Sequence, residues 1–329
     1  MGDCAPIPDS AKHHLLDLEA TALLAFRHGS HRAGPHRDRV PPTDWDARVS
    51  RAYEARLAVE FAPFEIDVLR RATRCREDGL ALCRSGHVAE GAIRIGAARE
   101  MVEGHLDNPE ALRVAHSFQY AAEAYVKYKG EEWGAATACL IAALRCCREL
   151  NDVWGYPVEG RRIHLVCNLA RTAARAGNNA EAARLTASML NRLDAGDGFW
   201  PYPELDLRAP GDRLLDTESW LLADQALSVV AMVADRAEPN IRRSLSADFP
   251  LAVSAGGRIA RARTWVDGVV AYADDDIERF LLRCSEFFTD GPGLLSVAWS
   301  EMVRRFSNHL LAEAHSSSAR ASTEPGSSL

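Results

Sequence analysis

Histidines, arginines and a few carboxylates are the side chains in this chain whose spacing suggests chemistry. His116, Tyr120, Glu123 and Lys127 recur at i, i+4, i+7 and i+11 and so share one helical face. A buried histidine and glutamate on one face can act as acid and base. The same stripe also fits an ordinary solvated or interhelical hydrogen-bonded face. A second concentration, Arg27, His28, His31, Arg32, His36, Arg37 and Arg39, falls in the run RHGSHRAGPHRDRVPP. Its glycines and prolines predict an irregular loop, either solvated or turned toward a ligand. Two further loops, Asn151–Arg162 and Ala195–Arg213, carry Trp154, Tyr156, Phe199, Trp200 and Tyr202 among Gly and Pro. Aromatics on such loops serve either as binding elements or as plugs at the edge of a helical scaffold.

Several chemistries lack their motif. There is no phosphate-cradling glycine loop, no dinucleotide fingerprint, no H-E-x-x-H and no G-x-S-x-G. Asp274, Asp275 and Asp276 are consecutive but lack the spaced acidic partners a hard cation requires, so a solvated turn is expected. None of the eight cysteines forms a C-x-x-C pair or a zinc-type set with histidine. No metal and no cofactor is therefore expected. Any catalysis would rest on electrostatics and proton transfer.

Composition narrows the class. Hydrophobic residues make up 47% and charged residues 26%, with aromatics at only 7%, which suits an alanine-rich helical fold better than a sheet. The net charge of −7 argues against nucleic acid as a partner. Cysteines inside helical patterns read as reduced thiols, and neither a signal-peptide core nor a membrane-length apolar run is visible, so a cytoplasmic protein without membrane contact is expected. Pro6 breaks the myristoylation pattern. Lysine occurs only at Lys12, Lys127 and Lys129, against 39 basic residues in all. That bias suggests a GC-rich, actinobacterial type of genome, in which a single arginine carries little weight.

The chain reads as consecutive helices. They are expected over His13–His28, Trp45–Phe61, Pro63–Ser85, a partner running to Val102, Leu112–Lys129 and Ala135–Leu150. A hairpin follows over Ile163–Leu193, then a pair over Arg258–Phe288 and a last helix over Leu294–His315. Three hairpins place a glycine at the turn, at Gly86, Gly130 and Gly177, 44 and then 47 residues apart. Glycine takes the positive φ of a helix C-cap without strain. A small residue follows five positions later, at Gly91, Ala135 and Ala182, where two helices must approach closely. Over about residues 69–193 this pattern resembles the tetratricopeptide-like helical repeat superfamily. The period is longer than the standard 34 residues, and the large residue near the start of the first helix is missing. The expected architecture is all-α, a tetratricopeptide-like solenoid of stacked antiparallel hairpins. Residues 1–62 would form an N-terminal helical segment with the basic loop, 63–315 the repeat domain and 316–329 a disordered tail.

The resemblance implies that the first helix of each pair lines a concave groove. Counting back from the turn glycines, the inner stripes are Thr73, Arg76, Leu80 and Arg84, then Ser117, Tyr120, Lys127 and Tyr128, then His164, Cys167, Arg171 and Arg175. A fourth pair would add Arg261, Thr264 and Tyr272. The result is a basic groove in an acidic protein, and arginine forks suit carboxylate, phosphate or sulfate. The peptide-carboxylate clamp known in this superfamily needs asparagines where Leu80 and Ala121 stand, so that role is not implied.

These readings converge on a small anionic molecule. The ligand-binding candidates are Arg27, Arg32, Arg76, Tyr120, Lys127, Arg171, Arg175, Trp154, Tyr156 and Trp200. His28, His31, His116, His164 and Glu123 are the candidate proton-transfer groups, in an elimination or cyclisation of bacterial specialised metabolism. The alternative is a protein–protein adaptor without catalysis, alone or in a homo- or hetero-oligomer. A closed pocket roofed by residues 27–39 or 195–213 would favour the small ligand, and an open groove would favour the adaptor.

Overall fold

The computed structural model describes residues 9–32, 55–56, 59, 61–195, 200–206, 214, 216–248 and 260–323. The helix expected at Trp45–Phe61 lies mostly outside them, as do His36, Arg37, Arg39 and Phe199. Among the described residues the chain is all-helical, with no strand. The helices are α1 (Asp9–Arg32), α2 (Pro63–Arg84), α3 (Val88–His105), α4 (Pro109–Lys129), α5 (Trp133–Trp154) and α6 (Glu159–Arg175). They continue as α7 (Asn179–Ala195), α8 (Asp216–Ala234), α9 (Pro239–Asp248), α10 (Ala260–Ala273), α11 (Ile277–Thr289) and α12 (Ser296–Thr323). None of them is long and apolar enough to cross a membrane.

Local chemistry sets the helix starts. Pro63 occupies the first turn of α2, and the Glu65 carboxylate accepts a hydrogen bond from the Ala62 amide. The Asn108 side chain accepts from the Glu110 and Ala111 amides at the head of α4. In the last case the cap comes from another helix: Asp224 of α8 accepts from the Val297 and Ala298 amides of α12, at 2.9 and 2.8 Å.

Four tight turns share one geometry. The residue two past the helix end is left-handed: Gly86 (φ 95°), Glu131 (φ 59°), Gly177 (φ 83°) and Asp275 (φ 59°). The next amide, of His87, Glu132, Asn178 and Asp276, reaches back to the carbonyl of Leu82, Lys127, Ala173 and Ala271, each at 2.9 Å. The expectation that Gly130 takes the positive φ is therefore corrected, since Gly130 has φ −86° and Glu131 takes that place. Re-aligned on these positions, the close-approach residues are Gly91, Ala136 and Ala182, all buried; Ala135 is half-exposed. Across the first hairpin a Cβ on Gly91 would lie 2.3 Å from Cys83 Sγ and 2.6 Å from the Gly79 carbonyl oxygen. Gly91→Ala should raise helix propensity by about 1 kcal/mol yet cost stability by about 1–3 kcal/mol, because the two backbones must part. Urea unfolding checks this, and a gain in stability would show a looser hairpin.

Packing follows the hairpins: α2 with α3, α4 with α5, α6 with α7 and α10 with α11. The leading helices also touch one another, α2 with α4, α6 with α8 and α8 with α10. The stretch after residue 213 contributes α8, which is buried against α6, α7, α10 and α12, as its nearly unbroken apolar run requires. The main core runs from α4 to α12 and centres on α6 and α8.

The N-terminal helix packs against α11, at the opposite end of the array from α2. Phe26 meets Phe288 and Trp299 at ring separations of 5.4 and 6.1 Å. His309 of α12 lies 2.7 Å from Glu19. Residues 27–32 are helical, which corrects the expected irregular loop over that stretch. Gly29 is tolerated there because the helix crosses the Phe288 backbone at that point, and tertiary contact outweighs glycine's poor propensity. At the other end α12 continues past His315 to Thr323, beyond the start of the tail read from composition.

Ion pairs brace the last helices, between α10 and α11 and within α12. Asp267 of α10 accepts from Arg279 and Arg283 of α11, and Glu301 accepts from Arg304 and Arg305. Burial alone would raise both carboxyls. The arginine hydrogen bonds and charges outweigh it and hold both below the ordinary carboxylate value. A depressed folded pKa contributes stability above the unfolded carboxylate range and loses it as pH falls through the folded value. The urea midpoint should therefore drop between about pH 5 and pH 3, with a shallower drop in Asp267→Asn. An unchanged slope in that variant would rule the pair out as the source.

Candidate functional site

One cavity of about 380 Å³ lies among the leading helices of the first three hairpins. From α2 its wall takes Arg76, Leu80 and Arg84; from α4, Phe118, Ala121, Tyr125 and Tyr128; from α6, Arg161, His164, Asn168, Arg171 and Thr172. Leu140 of α5 closes it behind. Four guanidiniums stand in this wall and, among the described residues, no aspartate or glutamate does. The chain as a whole carries a net charge of −7, so the cavity is an inversion of its surroundings.

Each basic group has a defined seat. Arg76 and Arg161 are both buried, with their guanidiniums 5.3 and 3.7 Å from the centre of the Phe118 ring. Arg76 donates to Thr73 Oγ1, and Arg161 donates to the Ser117 carbonyl at 2.9 Å. Arg171 donates to Asn168 Oδ1 at 2.8 Å and to Ser228 Oγ at 3.4 Å, and it pairs with no carboxylate among the described residues. Arg84 lies in the last turn of α2 and is exposed.

A directional chain of hydrogen bonds fixes His164. Its Nδ1 lies 2.8 Å from Gln225 Oε1, an acceptor that suits a protonated Nδ1. Its Nε2 lies 3.1 Å from Asn168 Nδ2, a donor, so Nε2 is the lone-pair nitrogen. Asn168 then offers Oδ1 to Arg171. Gln225, His164 and Asn168 together aim the Arg171 guanidinium. The Thr172 hydroxyl is spent on the Asn168 carbonyl at 2.8 Å.

The remaining candidates lie elsewhere. His116, Tyr120 and Glu123 form a separate cluster between α3 and α4. Arg99 grips the Glu123 carboxylate and lies over the Tyr120 ring at 5.3 Å, while Glu103 is 3.6 Å from His116. Burial lowers the His116 imidazole, with Glu103 pulling the other way. These three side chains are not in the cavity wall. Lys127 pairs with Glu132 at 3.0 Å outside the wall, and Arg175 is exposed at the end of α6. Cys167 faces the core, where burial pushes its thiol up to about 12 and leaves no thiolate. Arg27 and His28 are exposed on α1; His31 and Arg32 belong to the same helix, but their side chains lie outside the described residues.

Of the loop aromatics, Tyr156 and Trp200 are buried plugs, one of the two roles expected, and neither they nor Trp154 stand in the cavity wall. Tyr156 is buried and donates its hydroxyl to Glu110 at 2.7 Å, with Arg56 over its ring. Trp200 is buried between Arg162 and Arg192, at 4.0 and 5.3 Å. Trp154 ends α5 half-buried, and its carbonyl accepts from Arg56. Among the described residues, neither the 27–32 stretch nor 200–206 roofs the cavity.

Phe118, Tyr125, Arg161, Asn168 and Thr172 are among the wall residues that the inner stripes omitted. On α4 the cause is the turn: anchoring on Gly130 rather than Glu131 rotates the assignment by one residue, about 100°. Moving the stripe on by one converts Ser117 and Tyr120 into Phe118 and Ala121, while Tyr128, already on the stripe, stands in the wall. On α6 the signal was present, since Arg161, His164, Asn168 and Arg171 follow the 3-4-3 spacing of one helical face. Compared with known protein families, curated proteins and solved structures, the chain matches none of them.

Proposed function

We propose that this protein binds a small anionic molecule with an apolar body in the cavity between α2, α4 and α6, on a tetratricopeptide-like array. The observation that carries the reading is the wall itself: Arg76, Arg84, Arg161 and Arg171 without an acidic residue among the described ones, over a floor of Phe118, Tyr125 and Tyr128. Guanidiniums recognise carboxylate, phosphate or sulfate oxygens in fixed geometry, and the rings accept an apolar body. The array is supported by the shared turn geometry and by the contacts between leading helices. Proton transfer by His164 is not part of the proposal, because its nitrogens are committed to Gln225 and Asn168.

Calorimetric titration with phenyl phosphate, benzoate and benzylamine tests this. Both anions should bind, more weakly as ionic strength rises, and the amine should not. Equal binding of amine and anions, or binding that ignores salt, would sink the reading. An adaptor reading is favoured by one observation, that the cavity lacks a roof from the 27–32 and 200–206 segments. In that case a peptide ending in a free carboxylate should outcompete benzoate, and its amidated form should not.

A further inference from the structure

The rings of the cavity wall, Phe118, Tyr125 and Tyr128, all come from α4. Phe118 is taken up by the protein itself, with the guanidiniums of Arg161 and Arg76 at 3.7 and 5.3 Å from its ring centre. Among the described residues, Tyr125 and Tyr128 are the wall rings without a guanidinium on them. Their ring centres are 6.4 Å apart and their planes lie within 13° of each other. Trp133, at the head of α5, meets Tyr128 edge to face at 5.4 Å, and Lys129 lies over the Tyr125 ring at 5.7 Å. Neither Trp133 nor Lys129 is in the wall, so both tyrosines are braced from outside the cavity. The turn register then puts one of these rings level with an anion anchor. Leu80, Tyr125 and Arg171 each stand six residues before the left-handed residue of their turn, at Gly86, Glu131 and Gly177, and all three line the cavity. An anionic group on Arg171 therefore brings what it carries alongside Tyr125, with Tyr128 three residues, about 4.5 Å, nearer the turn.

Building on the anion-binding reading, we propose that the ligand is an aryl anion, a planar aromatic ring carrying the acidic group, and that Tyr125 and Tyr128 select the ring. Aromatic pairs gain from offset stacking and from edge-to-face contact beyond what area burial gives, so either approach to the tyrosines rewards a π system. Burial alone works the other way. A cyclohexyl group carries at least as much apolar surface as a phenyl group, so area by itself favours the saturated ring. A preference for phenyl over cyclohexyl is therefore the mark of ring–ring contact. Trp133 and Lys129 hold the tyrosines, and Asn168 holds Arg171, so little side-chain freedom is lost on capture.

Calorimetric titrations at one ionic strength compare benzoate with cyclohexanecarboxylate, and phenyl phosphate with cyclohexyl phosphate. Within each series that binds, the aryl member should be about 3- to 10-fold tighter. Tyr125→Leu should abolish that preference and Tyr125→Phe should keep it, with circular dichroism verifying the fold of each. Tyr128→Leu should reduce the preference as well, and it carries the test if Tyr125→Leu does not fold. Equal or reversed affinities within a series that binds overturn the aryl ligand and leave the anion site standing. A preference unaltered in the leucine variants overturns selection by the tyrosines, and with it the proposal. Absence of binding by all four probes overturns the anion site too.

Discussion

Arg171→Glu should weaken phenyl phosphate binding by on the order of 100-fold, about 3 kcal/mol, while circular dichroism and thermal unfolding stay close to the parent. Arg171 is only part-buried and bonds an amide oxygen and a hydroxyl, so the fold does not depend on its charge. A carboxylate in its place removes the charge-assisted bonds and adds repulsion toward an anion inside the cavity. Arg175→Glu and Lys127→Glu are the matched controls. Both make the same or a similar charge change, outside the wall, and should alter affinity by less than about threefold. Equal losses in all three would mean that the overall field, rather than the cavity, attracts the anion. His164→Ala should fall between, because it loosens Asn168 and through it Arg171 without removing a charge.

The largest stability effect is expected at the junction of α1 with the far end of the array. Phe288 is fully buried, with ring partners Phe26, Phe287, Trp299 and Phe306 at 5.4, 6.3, 5.0 and 5.7 Å. Phe288→Ala should cost about 3–5 kcal/mol in urea unfolding. Gly29→Ala tests the same junction from the other side. Its Cβ would fall 2.0 Å from the Phe288 carbonyl oxygen, a backbone atom that cannot swing away. That substitution should release α1 before the rest unfolds, seen as faster proteolysis within residues 9–32 at an unchanged rate elsewhere. If α1 remains as protected as in the parent, the close crossing at Gly29 is not what holds it.

Much of the helical skeleton was legible from residue pattern alone. The periodicity marked α2 to α7, α10 and α11 to within a few residues, because amphipathic spacing and Gly or Pro punctuation are local properties. The same local rule placed Arg76, Leu80, Arg84, Tyr128, His164 and Arg171 on the leading helices, and the structure sets all six in one wall. Local rules failed where an unusual residue took a glycine's task. Glu131 adopts φ 59° beside a glycine that does not need its freedom, and one residue of slip turned the α4 stripe through about 100°. They failed again where burial decides a side chain's role: nothing in the order of Trp154, Tyr156 and Trp200 says that Arg56 will lie over Tyr156, or Arg162 and Arg192 over Trp200.

The sequence by itself determined helix type, the neighbourhood of four hairpin turns and the inward stripe of α2, since these depend on neighbours within a few residues. Only the tertiary structure decided three things. It brought α1 to α11 at the opposite end of the array from α2, it made α8 the buried axis of the core, and it set His164 as a link between Gln225 and Asn168, which holds Arg171. Each of these joins residues tens to hundreds of positions apart. Such contacts are selected by the summed burial and hydrogen bonding of the whole chain, which no window of sequence contains.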